Sequence, residues 1–275
     1  MQLDQITPLI LTYNEAANIR RTLERLTWAR QIVIVDSFST DETLEIVRQF
    51  PNTVIVQRTF DHFADQCNFG LQQIQTLWTL SLDADYLCPF DMPLELADIN
   101  QECVAFRADF RYCIYGTPLR ATLYPPRIVL YQTGVAKYVR DGHAHRVMIS
   151  GACADLKSIL DHDDHKPLSR WLKSQTAYAG LEAEKLLSAD SAKLGWKDRI
   201  RSWIVLAPVL TVVYCLFCRM LILDGFVGLY YTLQRAYAEL LLSLELLDRK
   251  LRAGQSSAGS RQLTENRKSG EIPGV

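Results

Sequence analysis

The chain of 275 residues has no charge of its own to spend on a polyanion. It holds 30 Lys and Arg against 31 Asp and Glu, a formal net charge of −1. A nucleic-acid partner is therefore not expected. The start, "MQLDQITPLILTYNE", lacks both a basic opening and a long apolar run, and it does not read as a signal peptide. No internal repeat is visible. The seven cysteines (67, 88, 103, 113, 153, 215 and 218) are odd in number and scattered. Most lie among apolar neighbours, which suits small buried thiols in a reducing compartment rather than a disulfide framework. Cys215 and Cys218 form a C-x-x-C inside "VVYCLFCRML", where helix packing is expected instead of zinc or redox chemistry.

What the sequence does contain is an alternation. "ITPLILT" (6–12), "QIVIVD" (31–36), "TVIVQ" (53–57) and "WTLSLD" (78–83) are short apolar runs. Between them lie helical patterns at 15–26, 41–50 and 65–76. In the first, Ala16, Ile19, Leu23 and Leu26 share a face; in the second, Leu44, Val47 and Phe50 do. Apolar strands alternating with amphipathic helices predict an α/β layer, Rossmann-like, with a parallel sheet covered on both sides. "CVAFRADFRYCIYG" and "PRIVLYQTG" extend that sheet in mixed direction, and 166–188 reads as a helix with Pro167 in its first turn.

Beyond residue 195 the character changes. "SWIVLAPVLTVVYCLFC" (202–218) has no charge, contains Pro208 and is flanked by Arg199, Arg201 and Arg219. It is short for a membrane span, and the proline would kink it. Three readings stand open: a buried or oligomer-forming helix hairpin, a membrane-surface or re-entrant anchor with basic flanks, and a spanning helix. A second apolar-rich helix follows Gly225 and Gly228. The expected organisation is a catalytic-type α/β domain at 1–195, an apolar helical hairpin at 196–252 that associates with membrane, and a disordered tail at 253–275.

Ligands of open parallel sheets bind beyond the carboxyl ends of the strands. Three polar clusters fall at such ends: "TYNE" (12–15), "DSFSTD" (36–41) and "DADY" (83–86). Helix capping and turns account for Ser39, Asp41 and Asn14. They do not account for Asp36, Asp83 and Asp85 together. If strand geometry persists, Asp83 and Asp85 point to one face, and two neighbouring carboxylates call for a cation. All-oxygen ligation favours a divalent Mg²⁺ or Mn²⁺ that bridges phosphate oxygens.

In "LTYNEAANIRRTLERL", "IVIVDSFSTDETLEIV" and "WTLSLDADY", in order and spacing, residues 6–190 resemble the family 2 glycosyltransferases with the GT-A fold. "QCNFGL" (66–71) resembles a segment of the lipopolysaccharide-core and envelope-polysaccharide branch. The resemblance implies a nucleotide-sugar donor, a UDP-hexose in the first instance, and inversion at the anomeric carbon. It implies that Thr12, Tyr13 and Glu15 line the nucleotide pocket and that Asp36 accepts from the base. It further implies Asp83 near ribose or the metal shell, Asp85 as metal ligand, and Arg127 of "YPPRIVLY" near donor phosphates or acceptor. The implied acceptor is lipid-linked or a cell-envelope glycan, at the cytoplasmic face of the cell membrane.

"LDHDDHKPLSRW" (160–171) supplies His162 as a further metal or diphosphate ligand; for His165 a solvated side chain is expected, with Asp163 or Asp164 capping the helix. An inverting transfer also needs a base. The branch carries Val-His-Glu where this chain has "AHR", so His145 fits but Arg146 stands in the glutamate's place. Asp141, beside Gly142, is the nearest carboxylate and the favoured base, with His143 or His145 as alternatives. Two other classes remain: a non-catalytic nucleotide-sugar-binding membrane partner, and a nucleotidyltransferase, against which the glycine-free "LTYNEAANIR" argues.

Overall fold

The computed structural model describes residues 1–99, 102–141, 144–188, 201, 203–204 and 206–268. Its centre is a nine-stranded mixed sheet in the order β3-β2-β1-β4-β8-β6-β11-β5, with β7 (Thr117–Pro118) paired to β6 outside that path. Four strands are parallel: β1 (Ile6–Thr12), β2 (Ile32–Asp36), β3 (Thr53–Gln57) and β4 (Trp78–Asp83). These match the expected apolar runs almost residue for residue. β8 (Arg127–Gln132) joins β4 antiparallel and carries β6 (Ala105–Ile114). β11 (Cys153–His162) runs parallel to β6, and β5 (Tyr86–Leu87) closes the edge antiparallel to β11.

The pleat explains why the first strands are apolar throughout. Ile10, Ile32 and Ile34 point to one face, where α1 (Ile19–Glu24) seats Ile19 and Leu23. Leu9, Val33 and Val35 point to the other, against Phe69, Leu71 and Ile74. Full burial of each such side chain is worth about 1.5–3 kcal/mol. Gly70 lies in α3 (Phe63–Leu71), and a Cβ there would stand 2.5 Å from Leu9 Cδ1, so the glycine lets that helix sit on the sheet. α2 (Thr43–Val47) buries Val47 and Thr43, with Leu44 only half-buried. α4 (Met92–Asp98) buries Met92 and Leu96 under the same core.

A separate antiparallel ribbon, β9 (Ala136–Asp141) with β10 (Ala144–Ile149), holds the stretch "YVRDGHAHRV". A hairpin stands where no strand pair had been expected. With Asp141 paired to Ala144, two residues join the strands, and a glycine at the first of them is the local signal for such a link. Gly142 and His143 lie outside the described residues.

α5 (Leu168–Ser188) starts just after Pro167, as its missing N–H favours. Next come α6 (Leu206–Val213), a π-turn (Tyr214–Cys218), a 3-10 turn (Leu221–Asp224) and α7 (Gly225–Lys268). Where a disordered tail was expected from 253, the helical backbone continues to Lys268. The stretch holds three Ser and two Gly, poor helix formers, but no proline interrupts it before Pro273, so the helix already formed upstream propagates through it. Among the described residues no single helix is long and apolar enough to cross a membrane. Leu206–Cys218 and Leu221–Ala253 meet that test only as a pair, bent by 74°. The bend is tight: a Cβ on Gly228 would lie 1.9 Å from the Leu221 carbonyl oxygen.

Candidate active site

Register brings the polar strand ends to one edge. Thr12 pairs with Asp36, and Leu11 with Asp83, so β1, β2 and β4 release their polar residues side by side. Two clusters form there.

The first is built on Asp36, which is fully buried. Its Oδ1 accepts from Thr12 Oγ1 at 2.9 Å and Ser39 Oγ at 2.5 Å; its Oδ2 accepts from Ser39 N at 2.9 Å and Gln57 Nε2 at 3.2 Å. Thr12 is likewise buried, so its hydroxyl braces Asp36. Asn14, at φ 55°, uses its Oδ1 to accept from Thr40 N at 2.7 Å and Asp41 N at 3.3 Å, locking the two loops together. Tyr13 is exposed at the rim, with the Arg170 guanidinium 5.6 Å from its ring centre. Gln66 of α3 donates to Ser37 Oγ at 2.8 Å and to the Arg58 carbonyl at 3.0 Å. Two residues on, Asn68 exchanges both hydrogen bonds with the backbone of Tyr138. "QCNFGL" thus ties the β2 loop to the ribbon that carries Asp141.

Glu15 turns inward. It accepts from Lys166 Nζ at 2.8 Å and Asn18 Nδ2 at 3.0 Å. Burial pushes its carboxyl up, Lys166 pulls it down, and the nearby charge of Asp85 adds to the rise, leaving it at about 7. Lys166 also stands 3.6 Å from Asp164.

The second cluster gathers the residues after β4. Strand geometry does not persist through "DADY": β4 ends at Asp83, and the chain turns at Ala84–Asp85 into β5. The turn is held by Thr22 Oγ1 donating to the Ala84 carbonyl at 2.6 Å, and by Asp163 N donating to the Asp85 carbonyl at 3.0 Å. The two carboxylates therefore take different partners. Asp83 is half-exposed and lies 3.9 Å from Arg127 Nη1. Asp85 is buried, with His162 Nε2 at 3.3 Å from its Oδ2. Burial works against the Asp85 charge, but His162 and Lys166 outweigh it and hold the carboxyl down to about 2.

Rings enclose this pair. His162 meets Tyr112 at 4.7 Å, Tyr124 at 4.8 Å and Tyr86 at 5.3 Å. The Tyr86 and Tyr124 hydroxyls are hydrogen-bonded, and Arg127 stacks 4.6 Å over Tyr124 while donating to Tyr86 OH at 3.4 Å. Neither tyrosine was singled out in the sequence. Aromatics beside a D-x-D and an arginine were the available signal.

The residues fit a divalent cation. Asp85 Oδ2 and His162 Nε2, 3.3 Å apart, are close enough to serve one cation together, and Asp85 Oδ1 is buried without a hydrogen-bond partner, an expensive arrangement unless a ligand completes it. Among the described residues no third His, Cys, Asp or Glu joins them, so the remaining positions would fall to diphosphate oxygens and water. Asp163 does not cap α5. It is buried between Arg21 Nη1 at 2.6 Å, His165 Nε2 at 2.9 Å and Gly116 N at 3.1 Å. His165 is partly covered rather than solvated. Of the base candidates, Asp141 ends β9 opposite Ala144, and the side chains of Asp141 and His145 are outside the described residues. Arg140 beside Asp141 is engaged with Asp65 at 2.6 Å.

Residues 9–138 match the family model described as Glycosyl transferase family 2. An uncharacterized glycosyltransferase of Rickettsia felis is 31% identical over 118 residues, 42% of this chain and 40% of that one. Its counterpart in Rickettsia bellii is 30% identical over 116 residues, 42% and 38% of the two chains. The match thus spans about two fifths of the length of these relatives. Among solved structures, Staphylococcus aureus TarS 1–349 is 16% identical, covering 90% of this chain and 91% of that one, with a TM-score of 0.44. Glucosyl-3-phosphoglycerate synthase from Mycobacterium tuberculosis, solved with Mn²⁺, UDP and phosphoglyceric acid, is 10% identical, covering 68% and 80%, with a TM-score of 0.44. At these scores neither overlay assigns a residue or a ligand to this chain.

Proposed function

We propose, from the match of residues 9–138 to the glycosyltransferase family 2 model, that the chain is an inverting hexosyltransferase. It moves a sugar from a nucleotide diphosphate, UDP in the first instance, to a hydroxyl of a lipid-linked or cell-envelope glycan. The observation that carries this reading is the cluster Asp83, Asp85, Arg127 and His162 at the carboxyl edge of the parallel strands.

In the proposed reaction the acceptor oxygen forms a bond to C1 of the sugar as the bond from C1 to the β-phosphate oxygen breaks. Asp141 takes the acceptor proton, and the nucleoside diphosphate leaves. Asp85 and His162 would hold a Mg²⁺ or Mn²⁺, which supplies neutralisation of the leaving diphosphate. Arg127, kept cationic by its surroundings, adds a second positive charge beside it. Asp83 is open to solvent beside Arg127, where it can accept from ribose. Tyr13 and the loop braced by Thr12 and Asp36 form the nucleoside side. Gln57 and Ser39 cover the Asp36 oxygens, so the base reaches Asp36 by displacing the Gln57 amide, its exposed partner.

The hairpin supports work at a membrane surface. Phe226 is 90% exposed, and Trp203, Val209, Phe217 and Leu223 are more than half exposed. Exposed apolar side chains in such number along one segment are the kind that meet lipid or protein. We place the enzyme at the cytoplasmic face of the cell membrane, its bent helix pair lying on the lipid. Incubating the full chain with Mn²⁺ and UDP-, GDP- or dTDP-hexoses, with and without a membrane extract, tests the reading. Release of nucleoside diphosphate supports it; no turnover and no binding with any donor sinks it.

A further inference from the structure

The segment 119–126 carries Tyr124 and leads into Arg127, yet it belongs to no strand or helix. Pro125 and Pro126 have no N–H to give. Its conformation must be fixed from outside, since backbone groups left without partners are costly. The partners come from the C-terminal helices. Arg120 donates through its backbone N to Asp224 Oδ2 at 3.1 Å and through Nε to Oδ1 at 2.6 Å. Leu123 N donates to Tyr231 OH at 2.9 Å, and Arg219 Nη2 donates to the Thr122 carbonyl at 3.0 Å. Thr122 Oγ1 in turn accepts from Tyr124 N at 2.9 Å.

Packing follows the same route. Leu119, Cys215, Leu221 and Tyr231 form one buried cluster. The Tyr112 ring lies between Tyr231, at 4.9 Å, and His162, at 4.7 Å.

We propose that the 219–231 part of the C-terminal helices belongs to the donor site. Tyr231, Arg219 and Asp224 are positioning residues that set the 119–124 segment so that Tyr124 and Arg127 stand against His162 and Asp83. This rests on the donor-site reading above. It means that the same element that meets the lipid also holds the diphosphate arginine in place.

A double-mutant cycle tests it. Full-length wild type, Tyr231→Phe, Arg127→Ala and the double variant are titrated with UDP in the presence of Mn²⁺. Urea midpoints are taken alongside. Tyr231→Phe removes one hydroxyl and leaves the ring packing. It should weaken UDP binding about five- to tenfold in the wild-type background, the range of one lost buried hydrogen bond, and by less than about twofold once Arg127 is gone. Should Tyr231→Phe fail to fold, Arg219→Ala is read the same way through the Thr122 carbonyl. Unchanged affinity, or an equal loss in both backgrounds, overturns the proposal while leaving the donor site standing. A wild-type chain that binds no UDP removes the donor reading and this inference with it.

Discussion

His162 Nε2 stands 3.3 Å from Asp85 Oδ2, while the other oxygen of that carboxylate and the other ring nitrogen are buried without partners. Two residues 77 positions apart are joined where β5 pairs with the end of β11. On the proposed reading this pair would supply two ligands of a divalent cation.

Asp85→Asn and His162→Ala should each abolish the dependence of UDP binding on Mn²⁺. Turnover should fall about a thousandfold for Asp85→Asn, the scale of several kcal/mol of lost charge stabilisation. Calorimetric titration with and without the metal reads the first effect, and nucleoside-diphosphate release the second. Retained metal dependence in both variants contradicts the assignment.

Asp141→Ala should lower kcat by about 10²–10⁴-fold, the range of a general base, and leave donor affinity unchanged. Full turnover rules Asp141 out and moves the role to His143 or His145.

The Glu15 carboxyl, at about 7 in the fold against an ordinary 4.5, binds its proton more tightly folded than unfolded. Its contribution to stability is therefore fully present below about pH 4.5 and is lost as pH rises through about 7. Glu15→Gln removes that slope. The difference in urea-derived stability between wild type and variant should change across pH 4.5–7 and stay flat from 7.5 to 9. A constant difference over the whole range contradicts the raised value.

Gly228→Ala should cost about 1–3 kcal/mol, as overpacking does, because its methyl meets the Leu221 carbonyl. The loss appears as a lower urea midpoint. An unchanged midpoint would mean that the bend between the two helices is not fixed at that contact.

Phe226→Ser should reduce sedimentation with anionic phospholipid vesicles about ten- to a hundredfold, the equivalent of a phenylalanine's burial. Equal sedimentation, or none for wild type, would reassign the apolar face to a protein partner.

The parallel half of the sheet was legible because β1 and β2 carry buried apolar residues on both faces, while β4 alternates Trp78, Leu80 and Leu82 with Thr79, Ser81 and Asp83. The hairpin 136–149 was not, although Gly142 at the first linking position announces it, because its histidines and arginines drew attention to chemistry instead. The separate partners of Asp83 and Asp85 were hidden because an i, i+2 spacing speaks only for a strand that continues. The roles of Tyr86, Tyr112 and Tyr124 depend on contacts between β5, β6, β11 and the 119–126 segment, which no local pattern encodes. The Lys166–Glu15 pair spans 151 residues and was equally invisible.

On the proposed reading a metal-assisted nucleotide-sugar site lies at the edge where Thr12, Asp36 and Asp83 leave the sheet. Its most direct test is calorimetric titration of the full chain with UDP, with and without Mn²⁺. Saturable binding that strengthens with the metal, and loses that dependence in Asp85→Asn, is the predicted result. No binding of UDP, GDP or dTDP under either condition would contradict it.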